Sequence, residues 1–313
     1  MGERWAMKKI RCLIPALALA LLLGGCGSKE TLYDPYEGMV QVESGFGTQM
    51  WVKEYEDVPV STFVPEDFSE NGGRVVYTGS GHSAAAGIDV SEHQGTIDWD
   101  AVAADGIDFA VIRAGYRGYS EGGLFLDNYF FDNMDGALRN GLDIGVYFFS
   151  QATTPQEAEE EARFLIGYLD MYMPEAYTMP IFYDWESIVS DEARTDGMTG
   201  EQITACAVAF CQAVEAAGYT PGVYAYRNLA YYSYDLSAIA GYPLWMGALG
   251  DWPDFYYRHD IWQYSATGRV DGIDGEVDLN LWLREGTEAV PAAAEETDAQ
   301  TSSAGELWVY PEK

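Results

Sequence analysis

The sequence predicts an α/β fold, an irregular (β/α) barrel of the TIM-barrel type with a short N-terminal extension and a C-terminal tail. Between residues 87 and 285, seven short apolar, β-branched or aromatic runs alternate with helical signals. Most of these runs are apolar on both faces, which is typical of central parallel strands. Strand, helix, strand in repetition indicates a parallel sheet. Seven strands in about 200 residues favour a barrel, with fewer helices than the regular eightfold form, over an open sheet.

The predicted strands follow one another at short intervals along this region. They are 87–90, 109–113, 144–149, 180–184, 222–225, 243–246 and 261–264. Two helix starts lie between them, because capping-box patterns begin at Thr154 and at Thr199, each with Glu or Gln three residues later. The second of these helices is expected to end at Gly218, since glycine commonly follows the last residue of a helix.

The segments outside the barrel are polar and irregular. Residues 26–84 are interpreted as a tether with short strands, in which 39–42 and 50–55 are expected to pair as a hairpin. Residues 85–286 then form the barrel. Residues 287–313 are interpreted as a flexible acidic tail, because their Ala, Glu, Thr and Ser content is typical of a linker. The end of this tail, 306–310, is again strand-like.

The first 26 residues resemble a bacterial lipoprotein signal with its lipobox. Lys8, Lys9 and Arg11 precede an apolar run over 13–23, and Leu-Gly-Gly-Cys26 follows. This run is shorter than the roughly 20 residues that a membrane-spanning helix needs, although an uncleaved short anchor is the alternative. The resemblance implies a signal peptide over 1–25 and a lipid on Cys26. We therefore expect an extracytoplasmic protein anchored to the cell membrane by its lipid.

Composition and charge exclude several classes of function. The chain has 313 residues, with 50 Asp and Glu against 17 Lys and Arg, so its formal net charge is −33. This charge repels phosphate backbones, which argues against nucleic-acid binding. Disorder throughout is excluded because 48% of the residues are hydrophobic and 14% are aromatic. Three His and no His/Cys cluster predict no metal or cofactor, and we expect a monomer. Cys206 and Cys211 lie five residues apart on a predicted helix and are not expected to form a disulfide.

Acidic residues recur where the predicted strands end. Asp89 ends the first strand, Asp184 and Glu186 end the fourth, and Asp278 follows the last one. Working groups of such barrels lie at the carboxyl ends of the strands. Alternation along a strand places Asp184 and Glu186 on the same face, where one carboxyl can stay protonated and another ionised, as glycoside hydrolysis requires. The alternative is that these acids cap helices or solvate loops.

Aromatic side chains near the same strand ends suit a sugar-binding groove, because pyranose faces are apolar. The candidates for substrate contact are Tyr147, Tyr226, Trp245 and Tyr264. Trp99, Phe109 and Trp282 are assigned to packing instead. Arg113 ends an apolar strand, where a buried charge is costly unless it is paired. We expect one of the four acids to be its partner, and we count Arg113 among the candidate substrate-binding residues.

Five segments resemble glycoside hydrolase family 25, the lysozyme-like muramidases. They are Gly87-Ile-Asp-Val-Ser91 with Gln94-Gly95 and Ile97-Asp-Trp99, Phe109-Ala-Val-Ile-Arg-Ala-Gly-Tyr116, Asp184-Trp-Glu186, Trp262-Gln-Tyr264, and Gly272-Ile-Asp-Gly-Glu-Val-Asp278-Leu-Asn280. They occur in the family's order over about 200 residues, the whole predicted barrel. One departure is Phe148, where the family usually has a His. Its presence is expected to remove a hydrogen-bonding group near the reacting sugar.

The resemblance implies cleavage of the β-1,4 bond between N-acetylmuramic acid and N-acetylglucosamine in peptidoglycan glycan strands. By the same resemblance, Glu186 is the general acid, Asp184 is its partner, and Asp89 and Asp278 are further acids of the cleft. Gln263 joins Tyr147 and Tyr264 as a substrate contact. Two alternatives stay open: a cell-wall glycan-binding module without turnover, and a glycosidase of chitin-like chains. Retaining, inverting and acetamido-assisted routes all remain open, with the acetamido route favoured.

Overall fold

The computed structural model describes residues 34–45 and 47–285. The predicted signal peptide, Cys26 and the tail 287–313 lie outside these described residues. Within them, the chain from Gly38 onward belongs to one compact unit.

Eight strands close into a barrel, and all seven predicted strands are among them. The strands of the barrel are β5 (His82–Val90), β6 (Phe109–Arg117), β8 (Asp143–Ser150), β9 (Ile181–Trp185), β10 (Pro221–Tyr226), β11 (Leu244–Gly247), β12 (Ile261–Gly268) and β13 (Val277–Glu285). The order around the barrel is β5-β6-β8-β9-β10-β11-β12-β13, and pairing of β13 with β5 closes it. A ninth strand, β7 (Leu124–Leu126), adds to the edge of β6 as a hairpin.

The strand that sequence analysis missed, β13, runs antiparallel to both of its neighbours, whereas the other barrel strands run parallel. The first residues of β13 therefore lie at the same edge as the carboxyl ends of the parallel strands. Asp278 is the second residue of β13, so it reaches the expected edge from a strand rather than from a loop after the last strand. The fold thus differs from a regular TIM barrel, in which all eight strands are parallel.

In the part of the chain that the structure describes, six α-helices lie outside the barrel. They are α1 (Trp99–Ala104), α2 (Phe130–Arg139), α3 (Pro155–Leu169), α4 (Gly200–Ala216), α5 (Arg227–Ser233) and α6 (Leu236–Ile239). Thr154 and Thr199 cap α3 and α4 as predicted, since their hydroxyls accept from the backbone N–H of Glu157 and Gln202. Gly218 follows α4 with a φ of 92°, a conformation that glycine adopts without steric cost.

Two apolar layers stabilise the barrel. The inner layer packs side chains inside the barrel, among them Phe109, Val111, Phe182 and Ile261, with Trp282 against Phe109. The outer layer packs the other face of the strands against the helices. Cys206 and Cys211 are buried there as free thiols, in agreement with the prediction.

The N-terminal segment is not a free tether in the part that the structure describes. The strands β1 (Met39–Glu43) and β2 (Gln49–Lys53) form the predicted hairpin, and β3 (Phe68–Asn71) and β4 (Arg74–Tyr77) form a second one. Both hairpins pack on the barrel unit, with Val52 buried and Phe68 in edge contact with Trp262. The predicted boundary at residue 85 lies inside β5, because this strand begins at His82.

Among residues 34–45 and 47–285, no helix is long and apolar enough to cross a membrane.

Candidate active site

The four acids named from the sequence all lie at one end of the barrel. Asp89 is next to last in β5, Asp184 is next to last in β9, and Glu186 follows β9 directly. Asp278 and Asp89 are direct partners across the antiparallel strands β13 and β5. Asp89 and Asp184 are buried, with 6% and 4% of their surface exposed. Glu186 and Asp278 are half-buried beside them, so the four carboxyl groups lie together in a site with limited access to water.

Asp89 is held by two side-chain amides. The Nε2 of Gln263 donates to its Oδ2 at 2.9 Å, and the Nδ2 of Asn280 donates to the same oxygen at 2.8 Å. Each amide is oriented from behind by an aromatic donor. Trp245 Nε1 donates to Asn280 Oδ1, and Tyr224 Oη donates to Gln263 Oε1, both at 2.8 Å. Every amide oxygen thus faces a donor and every amide nitrogen faces the carboxylate.

Two of these residues, Tyr224 and Asn280, were not predicted as site residues, although Asn280 ends one of the segments that resemble the family. Both are buried and lie on strands that supply inward-facing residues next to the acids. Asn280 is two residues from Asp278, so it shares a barrel face with that acid by strand alternation. That spacing is the signal that could have found it. Tyr224 carries no comparable signal, because a tyrosine in an apolar strand is usually core.

Asp89 and Asp278 form a pair of carboxyl groups that share one proton. Burial raises the pKa of Asp89 well above its ordinary value, the negative charge of Asp278 raises it further, and the two amides oppose the rise. Burial also raises the pKa of Asp278, but its hydrogen bond with Asp89 lowers it. The deeper carboxyl, Asp89, therefore keeps the proton while Asp278 carries the charge.

The pKa values of the second pair, Asp184 and Glu186, are also raised, which favours the protonated forms. Burial raises the pKa of Asp184 well above its ordinary value, and the charges of Glu186 and Asp89 add to the rise. Burial raises the pKa of Glu186, and the charge of Asp278 raises it again. Among the described residues, Asp184 Oδ1 has no hydrogen-bond partner although it is buried. It is a polar atom free to bind a polar group of a ligand.

The backbone of Glu186 is fixed by a buried side chain, Gln151. Its Nε2 donates to the Glu186 carbonyl at 2.9 Å, and its Oε1 accepts from Thr195 Oγ1 at 2.8 Å. Arg194 donates to the Gln151 carbonyl and pairs with Glu157 of α3. This chain of contacts ties the residue that follows β9 to the helix layer.

The predicted aromatic contacts divide between the cleft and the interior. Tyr226 is the half-buried last residue of β10. Burial raises the pKa of its hydroxyl most, and the charge of the nearby Glu186 raises it further. Tyr226 packs over Gly247, where a Cβ would approach Tyr226 Cδ2 to 2.8 Å. Trp245 is 2% exposed and Tyr147 is 9% exposed, with ring centroids 5.8 Å apart. They form the floor beneath the acids, so Trp245 supports Asn280 rather than offering a face to substrate.

Two expectations fail because alternation along a strand sends the side chain outward. Gln263 faces the barrel interior, so Tyr264, its neighbour, faces the opposite way and packs on Trp262 with centroids 5.4 Å apart. Tyr264 is therefore not placed to contact substrate in this cleft. Phe148 likewise points to α3, where it meets Phe164, so its presence removes no group from the cleft.

Arg113 pairs with other acids than the four of the cleft. Its Nε donates to Asp127 at 2.7 Å and its Nη2 donates to Glu92 at 3.1 Å. Both carboxylates come from segments next to the barrel edge. The guanidinium still lowers the pKa of Asp184, as the last of the four causes acting on that acid. Arg113 therefore acts on Asp184 through its charge, while its Nε and Nη2 donate to Asp127 and Glu92.

Within the described part of the chain, no group of three or more His, Cys, Asp and Glu side chains is arranged to hold a metal ion.

Comparisons with known proteins identify the family of this chain. The family model described as "Glycosyl hydrolases family 25" matches residues 88–273. The autolytic lysozyme of Clostridium acetobutylicum is 30% identical over 196 residues, which are 62% of this chain and 54% of that protein. Lysozyme M1 of Streptomyces globisporus is 29% identical over 206 residues, 63% of this chain and 67% of that protein. The chain spans about half the length of the first relative.

Solved structures show the same fold. The modular autolysin LytC of Streptococcus pneumoniae, in complex with a synthetic peptidoglycan ligand, superposes with a TM-score of 0.55 and 25% identity, covering 79% of this chain and 57% of that one. A family 25 glycosyl hydrolase of Bacillus anthracis gives a TM-score of 0.53 at 22% identity, covering 65% of this chain and 90% of that one. Because the family model matches more than half of the residues, this chain belongs to glycosyl hydrolase family 25.

Proposed function

We propose that the protein is a muramidase, which hydrolyses the β-1,4 bond between N-acetylmuramic acid and N-acetylglucosamine in peptidoglycan. The observation that carries the proposal is the pair formed by the buried Asp184 and the half-buried Glu186, whose pKa values are both raised within one cleft. A carboxyl that stays protonated near neutral pH can protonate a leaving oxygen. The names of the lysozyme relatives and the peptidoglycan ligand of LytC point to the same substrate.

Glu186 is the proposed general acid. It gives its proton to the glycosidic oxygen as the bond from that oxygen to C1 breaks, and the resulting carboxylate later takes a proton from the attacking water. In the favoured route, the carbonyl oxygen of the substrate's 2-acetamido group attacks C1 and forms a cyclic intermediate. Asp184 holds that acetamido group through its unpartnered Oδ1. The alternatives are a protein nucleophile with retention and a direct attack of water with inversion.

Two measurements separate these routes. The configuration of the newly formed reducing end distinguishes inversion from the two retaining routes. If Asp184 acts on the acetamido group, Asp184→Asn should lose more activity on glycans that carry the N-acetyl group than on de-N-acetylated ones. Equal losses on both substrates would contradict the acetamido role.

The main alternative is a cell-wall glycan-binding module that has this fold without turnover. Binding alone does not require a protonated carboxyl, whereas burying the carboxyls of Asp89 and Asp184 costs folding free energy, a cost that is typical of catalytic sites. Incubating the protein with purified peptidoglycan tests both functions. Release of soluble fragments with N-acetylmuramic acid at the new reducing end supports the muramidase. Fragments that end in N-acetylglucosamine, or binding without release, would contradict it.

We also propose that the protein acts outside the cytoplasm and is anchored to the cell membrane by a lipid on Cys26. The support is the apolar run followed by Leu-Gly-Gly-Cys26 in the sequence. Two or more acyl chains hold a protein on a membrane stably, whereas one does so only marginally. Cys26→Ala should release the protein from membranes or leave it at precursor size. Unchanged size and unchanged membrane association in this variant would contradict the anchor.

A further inference from the structure

A row of aromatic side chains leads away from the acids along the face of the sheet that carries Asp184. In the parallel pairing of β8 with β9, Phe149 is the direct partner of Asp184. Tyr116 of β6 is the partner of Phe149, and Phe125 of β7 is the partner of Tyr116. Directly paired residues in a sheet point to the same face. The three rings therefore continue the face of Asp184 across three neighbouring strands.

An irregularity in β6 aims this row toward the cleft. The pairing of β6 with β8 shifts register between Arg113 and Gly115, and this brings Tyr116 to the same side as Arg113. The Arg113 guanidinium lies over the Tyr116 ring at 5.1 Å. Bulges of this kind redirect side chains next to active sites. Tyr116 is thus supported from below by a buried cation that its two carboxylate partners hold in place.

The end of the row is exposed and held in one position. Phe125 stacks on Tyr116 with ring centroids 5.3 Å apart and planes at 25°, yet 48% of its surface remains exposed. Glycines flank the ring, since a Cβ at Gly123 would lie 3.2 Å from its Cε2 and one at Gly118 would lie 3.4 Å away. A ring that is already ordered loses little conformational entropy when it binds a ligand.

We propose that Tyr116 and Phe125 form an additional subsite, which stacks on an N-acetylhexosamine ring of the same glycan strand beyond the residues bound at the acids. The proposal rests on the muramidase function proposed above. At an interstrand spacing of about 4.8 Å, β7 lies on the order of 14 Å from β9, which is more than one sugar ring away from Asp184. Continuity with the acid cleft favours a glycan over a protein partner, and a flat exposed ring suits the apolar face of a pyranose.

The test compares long peptidoglycan glycan strands, stripped of peptides, with the shortest oligosaccharide that the enzyme cleaves. Phe125→Ala should raise KM for the long strands about three- to tenfold with kcat unchanged, which is the size expected for one aromatic stack. The effect should be confined to the long strands. Phe125→Trp should keep the wild-type KM, because it restores a flat ring. Phe125→Leu should behave like the alanine variant, because it keeps apolar volume without the ring.

A matched control is Tyr232→Ala, which removes an aromatic side chain that is 64% exposed on α5. It should leave KM for both substrates unchanged. The subsite would be refuted if Phe125→Ala kept the wild-type KM on long strands, if Phe125→Leu matched wild type, or if the loss were equal on both substrates. A wild-type protein that cleaves no peptidoglycan would instead contradict the proposed function. Binding of long strands by Glu186→Gln, with and without Phe125→Ala, would then still decide the subsite.

Discussion

Asp89 and Asp278 face each other across an antiparallel pair of strands, and Asn280 and Gln263 both donate to the same oxygen of Asp89. These donors favour the charged form of Asp89, against the burial that raises its pKa. The position of the proton in the pair therefore depends on amides that belong to neighbouring strands.

Removing one amide should move that proton further toward Asp89. Asn280→Ala deletes a hydrogen bond that lowers the pKa of Asp89, so this pKa should rise above its wild-type value. Carboxyl carbon titration by NMR, with labelled aspartate, measures the shift directly. Trp245→Phe should give a smaller rise, because it leaves Asn280 in place but removes the donor that orients it. An Asp89 pKa that falls or stays constant in Asn280→Ala would contradict this account.

The general acid is tested by separating proton donation from the rest of catalysis. Glu186→Gln keeps the size of the side chain but cannot give a proton, so kcat on peptidoglycan should fall roughly 10²- to 10⁴-fold. On a glycoside whose leaving group needs no protonation, the loss should be much smaller. In the wild type, activity should decline as pH rises through the raised pKa of Glu186. An equal loss on both substrates would assign Glu186 another role.

Gln151 should act on turnover through the position of Glu186. Gln151→Leu removes the donor to the Glu186 carbonyl, and we expect kcat to fall about ten- to a hundredfold with little change in KM. Ser150→Ala is the matched control. Ser150 directly precedes Gln151 in the chain. Its substitution removes a buried hydrogen bond of 2.6 Å to Glu161 and no contact with Glu186. If both variants lost the same stability and the same kcat, Gln151 would have only a structural role.

His259 should make folding stability sensitive to mild acid. It is 2% exposed, its Nδ1 meets the Tyr257 carbonyl at 3.1 Å, and burial lowers its pKa to about 4. The unfolded chain, with a histidine pKa of about 6.5, binds this proton more readily, so stability falls as pH drops from about 6.5 to about 4. The full contribution is about 3 kcal/mol at most.

Denaturant unfolding at several pH values checks this dependence. In His259→Phe, the slope of unfolding free energy against pH between 4 and 6.5 should decrease, whatever the change in absolute stability. His93→Gln replaces an exposed histidine and should leave the slope unchanged. A slope unaltered in His259→Phe would show that other groups cause the acid sensitivity.

The sequence predicted the strands best where both faces of a strand are apolar, one inside the barrel and the other against the helices. The seven parallel strands could be recognised because both of their faces are apolar. The eighth, β13, places Val277 and Leu279 outward and the polar Asp278 and Asn280 inward, so its inner face has the composition of a loop. Apolar and polar residues alternate regularly along β13. However, polar residues facing the barrel interior are expected only when the cleft is already known to lie at that end of the strand.

The positions of the acids at strand ends were predicted from the sequence, but the directions of individual side chains were not. Tyr264 and Phe148 are adjacent in sequence to cleft residues and point outward, since a shift of one residue changes the face. The partners of Arg113 come from segments whose approach depends on tertiary packing. For the same reason, residues 26–84 were interpreted as a tether with short strands, although Val52 and Phe68 within them are buried by packing.

The reversed direction of the last strand also determines where the chain can be extended. Because β13 is antiparallel, Glu285 pairs with His82 at the end of the barrel opposite to the acids. A tag, a fluorescent protein or a second module joined directly to Glu285, in place of residues 286–313, begins on that far side. It has no need to pass over the cleft, so the enzyme can be immobilised or labelled there with its substrate groove left open.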